Sequence, residues 1–221
     1  MPLYFSEREV VIPGQLLSDN GKHGGEGTYV VGGKVYAAQV GIAVRKNNKV
    51  SVIAFKGAYK PQPGDRVIGI VVDVKPNGYE VMLSRHLSGS LRIPDRREVK
   101  SFNLKVGDVI YAKIRESGLR GVLLDPSDRI KKIEEGILVS IHPAKVSRLI
   151  GRRGSMVNMI KRLTGCEIIM GRNGMIIVRG PNPRSEFAAI SAIKMVESEA
   201  HTQGLTERVE NMIKEVMGGK T

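Results

Sequence analysis

A chain of 221 residues with 41% apolar side chains is long enough for two or three small domains, each burying a core of its own. Lys and Arg outnumber Asp and Glu by 35 to 22, a formal charge of +13 that predicts attraction to polyanions. No stretch approaches a membrane span, and "MPLYFSEREV" carries no signal-peptide apolar run, so the expected compartment is the cytoplasm with no membrane partner. The single cysteine, Cys166, excludes an internal disulfide and a cysteine-rich metal site, and in its apolar stretch it reads as core.

Residues 10 to 60 alternate β-rich runs with turns: "TYVV", Gly32-Gly33, "KVYAAQVGIAV", residues 46–49 and "VSVIAF". This predicts a small β-domain over 1–60. Its "GKHGGEG" at 21–27 is glycine-rich but lacks the GxxxxGK[ST] spacing of a P-loop, and it reads as a flexible loop. Pro61, Pro63 and Gly64 then mark a boundary.

A second β unit follows over 61–127. Its runs are "RVIGIVVDV" at 66–74, "YEVMLS" at 79–84, "GSLRI" at 89–93, "DVIYAKIRE" at 108–116 and "RGVLLD" at 120–125, with a polar loop from Pro94 to Lys105 after the third. Five short strands with a longer connection after the third is the plan of an OB-type barrel, a fold that serves either as an oligonucleotide binder or as a plain scaffold.

From residue 128 the pattern becomes mixed α and β. "GILVSIH" reads as a strand and "AKVSRLI" as a short helix entering Gly151-Arg152-Arg153-Gly154. Met156, Met159, Ile160 and Leu163 then form one apolar stripe of a helix that stops at Gly165. Strands "CEIIM" and "MIIVRG" flank the turn Gly171–Gly174. Asn182 and Pro183 open a helix running to about Ala200, and Thr206 is expected to cap a last one.

The charge is concentrated around the glycine turn. Residues 145–179 hold Lys145, Arg148, Arg152, Arg153, Lys161, Arg162, Arg172 and Arg179 against Glu167 alone. A glycine turn between two helices lets chains approach closely, the second helix presents its N-terminal amides to an anion, and the arginines add charge-assisted donors. Strand, helix, GxxG, helix, strand, strand, helix is the order of the KH module, whose GxxG loop clamps about four nucleotides of single-stranded nucleic acid.

The run "RLIGRRGSMVNMIKRLTGCEIIM" resembles a KH core. "PGDRVIGIVVDVKPNGYEVML" with "LKVGDVIYAKI" resembles an S1-type RNA-binding barrel. With "VIPGQLL" near the start and "AHTQGLTERV" near the end, the whole chain resembles the S1/KH-type RNA-binding cap subunits of the archaeal exosome. That resemblance implies a multidomain fold, mainly β plus α+β: an N-terminal β-domain, a five-stranded S1 barrel and a C-terminal KH domain over 128–221. It further implies a non-catalytic subunit without cofactor or metal. Three copies would cap a hexameric ring of RNase PH-like subunits, docking through the N-terminal domain and guiding 3' ends of single-stranded, A-rich RNA into the channel for degradation.

RNA-binding candidates are Gly151, Arg152, Arg153, Gly154, Lys145, Arg148, Lys161 and Arg162 in the KH unit, with Arg85, His86 and Arg92 on the barrel. Tyr79 is the barrel's stacking candidate, its alternative being a place in the barrel core. Leu91 and Ile93 stand where S1 barrels often display aromatics, so RNA contact by the barrel should be mainly electrostatic. Against an enzyme, the carboxylates are scattered, Asp65 and Asp108 follow glycines and read as turn caps, and His23, His86, His142 and His201 lie too far apart for a metal site. The alternative is a transcription elongation factor of the NusA group, which also joins S1 and KH units. Those proteins usually carry two KH units, and this chain has room for one.

Overall fold

The computed structural model describes residues 3–7, 9–46, 48–54, 59–93, 102–118, 121–128, 130–200, 202 and 204–218. The greater part of the loop expected over Pro94–Lys105, and His201, lie outside the described residues. The chain divides into two compact units, Met1–Ala58 and Tyr59–Thr221.

The first unit holds β1 (Val10–Val11), β2 (Leu16–Ser18), β3 (Thr28–Val31), β4 (Lys34–Ala37), β5 (Gly41–Lys46) and β6 (Lys49–Ala54). They form two antiparallel three-stranded sheets, β1-β5-β6 and β2-β4-β3. Val11, Leu17, Val35, Ala37, Ala43, Val50 and Val52 make the core between them. The glycine-rich stretch is built into this unit rather than loose: Gly24 bridges to Val50, and Val52 N donates to Glu26 O at 2.8 Å. Its first turn is capped by Asn20, whose side chain accepts from Lys22 N.

The second unit begins with β7 (Arg66–Lys75), β8 (Gly78–Ser84), β9 (Leu87–Arg92), β10 (Val109–Gly118), β11 (Gly121–Leu124) and β12 (Lys131–Ile133). The sheet order is β11-β9-β8-β7-β10-β12, and β11 also pairs with β10, closing β7 to β11 into a five-stranded barrel. Along β10 the alternation is strict: Ile110, Ala112 and Ile114 are buried, while Val109, Tyr111 and Lys113 face outward. Tyr79, Val81 and Leu83 on β8 point inward in the same way.

That parity corrects one expectation. Tyr79 is 4% exposed and belongs to the barrel core, so its ring is not available to stack on a base. Leu91 and Ile93 are interior for the same reason and mark no binding face. The barrel sheet also runs past the boundary expected at 127/128. β12 pairs with β10 through Val109–Ile133, Ile110–Lys132 and Tyr111–Lys131.

The remainder comprises β13 (Ile137–Ser140), α1 (Pro143–Ile150), a 3-10 turn (Arg152–Gly154), α2 (Ser155–Thr164), β14 (Glu167–Met170), β15 (Met175–Arg179), α3 (Pro183–Ser198) and α4 (Leu205–Gly218). The sheet order is β13-β15-β14, all antiparallel. The α2 stripe is as its spacing requires: Met156, Met159 and Ile160 are buried with Val157, and Leu163 packs against the same core. Full burial of a side chain such as Ile160 contributes about 1.5–3 kcal/mol. Asn182 caps α3 by accepting from Ser185 N at 2.8 Å. Thr206 falls inside the first turn of α4 rather than at its cap, because Gly204, with φ +68°, already turns the chain into the helix.

The barrel and the KH-like portion are joined through the turn between β14 and β15. Asn173 is buried and reaches both β7 and β8 of the barrel. Its Oδ1 accepts from Ile68 N at 3.3 Å, and its Nδ2 donates to Ile68 O and Leu83 O, each at 2.7 Å. Arg172 N donates to Arg66 O at 2.8 Å, and the Arg172 guanidinium lies 3.6 Å from Asp65. Asp65 also accepts from the Tyr59 hydroxyl at 2.8 Å; burial, then that hydrogen bond, push the phenol well above its ordinary pKa. Among the described residues no helix is long and apolar enough to cross a membrane.

Candidate nucleic-acid interface

The GRRG segment stands where α1 gives way to α2. The side-chain Nδ1 of His142 caps α1 by accepting from Ala144 N at 3.3 Å, and Pro143 occupies the first helical position. α1 then carries Lys145, half-buried in its first turn, and Arg148, exposed in its last turn, three residues apart on one face. Gly151 breaks the helix at φ +75°. A Cβ there would lie 2.7 Å from Met156 N and 2.9 Å from Met156 Cβ, so the position excludes every other residue by conformation and by space. Gly154 follows at φ +82°.

Between the glycines, Arg152 and Arg153 are both exposed, and Arg153 itself is left-handed at φ 51°, ψ 31°. A non-glycine residue held there costs about 1–3 kcal/mol, strain of a kind that recurs at ligand clamps. No side chain caps the N-terminus of α2; Ser155 N donates to Arg152 O within the turn, and two guanidinium groups flank that positive helix end. The left-handed turn and the exposed arginines thus stand together at the start of α2, with donors of a kind that suits an anion.

Not every basic residue of the cluster lies at that turn. Lys161 is half-buried on α2, while Arg162 is exposed and acts on Glu210 of α4, whose carboxyl is held below the usual carboxylate range first by Lys214 and also by Arg162. Arg179 pairs with Glu167 at 2.6 Å and with Glu135 at 3.8 Å, and Arg172 is turned to Asp65. The excess charge counted along the sequence is therefore divided between the GRRG side and the junction with the barrel.

On the barrel, Arg85 and His86 are exposed in the turn between β8 and β9, whereas Arg92 sits opposite Gly78 at the other end of that hairpin. Six residues of strand separate them, about 20 Å. The structure does not bring these three together. Arg92 instead shares a groove of about 280 Å³ with Lys75, Asn77 and Ser90. Asp65 and Asp108 do cap their turns, accepting from Gln62 N at 3.2 Å and Lys105 N at 2.8 Å. Among the described residues no group of three or more His, Cys, Asp or Glu is placed to hold a metal ion. The sequence reading missed Tyr111, which faces outward beneath the Arg66 guanidinium. The signal was its parity with Val109 and Lys113.

Comparison with known proteins agrees with this architecture at each end of the chain. Residues 8–56 match the family model of the exosome RNA-binding protein RRP4 N-terminal domain, and residues 136–184 match the KH domain model. The exosome complex component Rrp4 of Thermococcus kodakarensis is 39% identical over 96% of this chain and 87% of its own length. That of Methanothermus fervidus is 37% identical over 96% of this chain and 97% of its own. A crystal structure of a protein assigned as exosome complex RNA-binding superposes with a TM-score of 0.67 at 35% identity, covering 73% of this chain and 98% of the other. With its N-terminal β-domain, closed barrel and KH domain in that order, the chain belongs to the Rrp4 family of exosome components.

Proposed function

We propose that this chain is the non-catalytic RNA-binding subunit of an exosome, acting in the cytoplasm. Three copies cap a hexameric ring of RNase PH-like subunits and guide 3' ends of single-stranded RNA, with a preference for A-rich tails, into the channel where the ring degrades them. The observation that carries RNA binding is the GRRG turn, with Arg152 and Arg153 exposed at the uncapped N-terminus of α2. Gly151, Gly154, Lys145 and Arg148 complete the clamp, with Lys161 and Arg162 beyond it. Arg92, beside Lys75, and the separate pair Arg85 and His86 supply electrostatic contacts on the barrel.

Docking is assigned to the first unit. Val10, Ile42 and Ile53 are register partners across β1, β5 and β6, and Val10 and Ile53 are 57% and 59% exposed. A row of exposed aliphatic side chains across a sheet is the kind of surface that a protein partner covers.

The test is binding of labelled single-stranded oligoadenylate by the whole protein and by an R152E/R153E variant. The variant should bind at least tenfold more weakly with an unchanged melting temperature, and neither protein should shorten the RNA. Equal affinity would make the turn a spectator. Recovery of RNase PH-like subunits with the tagged chain, and phosphate-dependent 3' trimming by the eluate, would support the cap assignment; recovery of RNA polymerase instead would overturn it.

A further inference from the structure

Outside the barrel, where β7, β10 and β12 run side by side, lies a cavity of about 620 Å³, within the range of about 300–1,000 Å³ usual for ligand sites, lined by Arg66, Tyr111, Asp128, Ile130 and Lys131. Its floor is regular strand: Tyr111 on β10 stands opposite Ile68 of β7 on one side and Lys131 of β12 on the other. The tyrosine takes no part in the barrel core, which Ile110 and Ala112 fill from the other face.

Arg66 Cζ lies 5.8 Å from the centre of the Tyr111 ring. The guanidinium is held there by Asp128, whose Oδ2 accepts from it at 3.1 Å, and the Arg66 backbone is fixed by the hydrogen bond from Arg172 N. Lys131, its side chain 59% exposed, stands at the rim, and Lys113 is the register partner of Arg66 on β10. An aromatic ring and a guanidinium braced by a carboxylate, in a cavity of nucleotide size with Lys131 at its edge, match what single-stranded nucleic acid asks for. Bases stack on aromatic rings and on arginine planes, and phosphates meet lysine.

We propose that this cavity is a second RNA subsite, separate from the GRRG clamp, that takes one base of a single strand against the Arg66–Tyr111 pair while Lys131 holds the adjoining phosphate. The proposal rests on the RNA-binding reading above and adds to it a stacking contact, which the buried Tyr79 cannot supply. Stacking tolerates any base, so this subsite contributes affinity without sequence choice.

The experiment uses the full chain and a labelled 12-nucleotide oligoadenylate. Tyr111→Ala should weaken binding at least about fivefold with the salt dependence unchanged, because a stack releases no counterions. Tyr111→Phe should bind within about twofold of wild type, and Lys131→Ala should lower the slope of log affinity against log salt by about 0.7. Should Tyr111→Ala fail to fold, the wild-type protein still decides the matter. Irradiated with a 5-iodouridine oligonucleotide, it should yield a crosslink in the tryptic peptide 106–113, which contains Tyr111. Full affinity in a folded Tyr111→Ala protein, or wild-type crosslinks confined to residues 145–162, would overturn the subsite and leave the GRRG clamp standing. A wild-type protein that binds no RNA would overturn both.

Discussion

The side-chain amide of Asn173 donates to the main-chain oxygen of Leu83 at 2.7 Å, tying the β14–β15 turn to a barrel strand ninety residues earlier in the chain. The same side chain serves both backbone groups of Ile68. Asn173→Ala removes all three hydrogen bonds at once and strands one backbone donor and two backbone acceptors in a buried junction. The expected loss is about 3 kcal/mol or more, from about 1–3 kcal/mol for each of the three buried groups left unsatisfied. Denaturant unfolding measures it, and a loss below about 1 kcal/mol would show that the junction is not held by this side chain. Asn173→Asp should be no better than alanine, because a carboxylate cannot donate to the carbonyls of Ile68 and Leu83.

The two glycines of the GRRG turn are not equivalent. Gly151→Ala puts a methyl 2.7 Å from Met156 N, a backbone atom of α2 that cannot move without shifting the helix. At Gly154 the nearest atom is Asn158 Nδ2 at 3.2 Å, the end of a side chain that can swing aside. Gly154, at φ +82° and ψ 8°, meets the left-handed penalty of about 1–2 kcal/mol, while Gly151, at φ +75° and ψ 178°, lies in a region essentially confined to glycine. Gly151→Ala should therefore destabilise by clearly more than Gly154→Ala. Arg153→Gly should behave oppositely, holding or raising the melting temperature while weakening RNA binding. Thermal melts of the three variants beside RNA titrations would separate backbone strain from phosphate contact.

Tyr59 makes stability depend on alkaline pH. Its phenol is held above the ordinary value by burial and then by the Asp65 hydrogen bond, so the native state keeps a proton that the unfolded chain releases from about pH 10 upward. The contribution is complete below that pH and declines as pH rises from there toward the raised native value. Tyr59→Phe abolishes the ionisation, so the stability difference between wild type and Tyr59→Phe should shrink or reverse above about pH 10. A difference that stays constant between pH 8 and 11 would contradict the assignment.

Charge introduced into the apolar row of the first unit should separate docking from RNA binding. Ile53→Lys changes a side chain that is already 59% exposed, so the surface-substitution range of about ±0.5 kcal/mol applies to stability. Association with ring subunits should nevertheless fall sharply, and oligoadenylate affinity should not. Undiminished capture of the ring by an Ile53→Lys, Val10→Lys double variant would move the docking surface elsewhere.

The GRRG turn and its helices could be read from local grammar, because the stripe from Met156 to Leu163, the stop at Gly165 and the Asn182 cap all act within a few residues of one another. For Tyr79 the alternative place in the barrel core is the one the structure shows, and the sequence held the reason: it shares strand parity with Val81 and Leu83, and parity decides which side of a barrel a residue faces. β12 escaped notice for a different reason. Three residues, two of them lysine, carry no alternation of their own and become a strand only beside β10. Asn173 was legible as a turn residue and no more, since its partners lie 90 and 105 positions away and leave no periodic trace.

The plugging of the β14–β15 turn into the barrel has a metric consequence. Independent swinging of the KH domain against the barrel would break the three Asn173 hydrogen bonds, so the proposed clamp at Arg152 and the proposed subsite at Tyr111 would be kept at a set spacing along any strand that touches both. Two anchors at a set spacing act as a ruler. Affinity should climb steeply once an oligonucleotide is long enough to reach both, then level off, because the second contact becomes intramolecular at a high effective concentration.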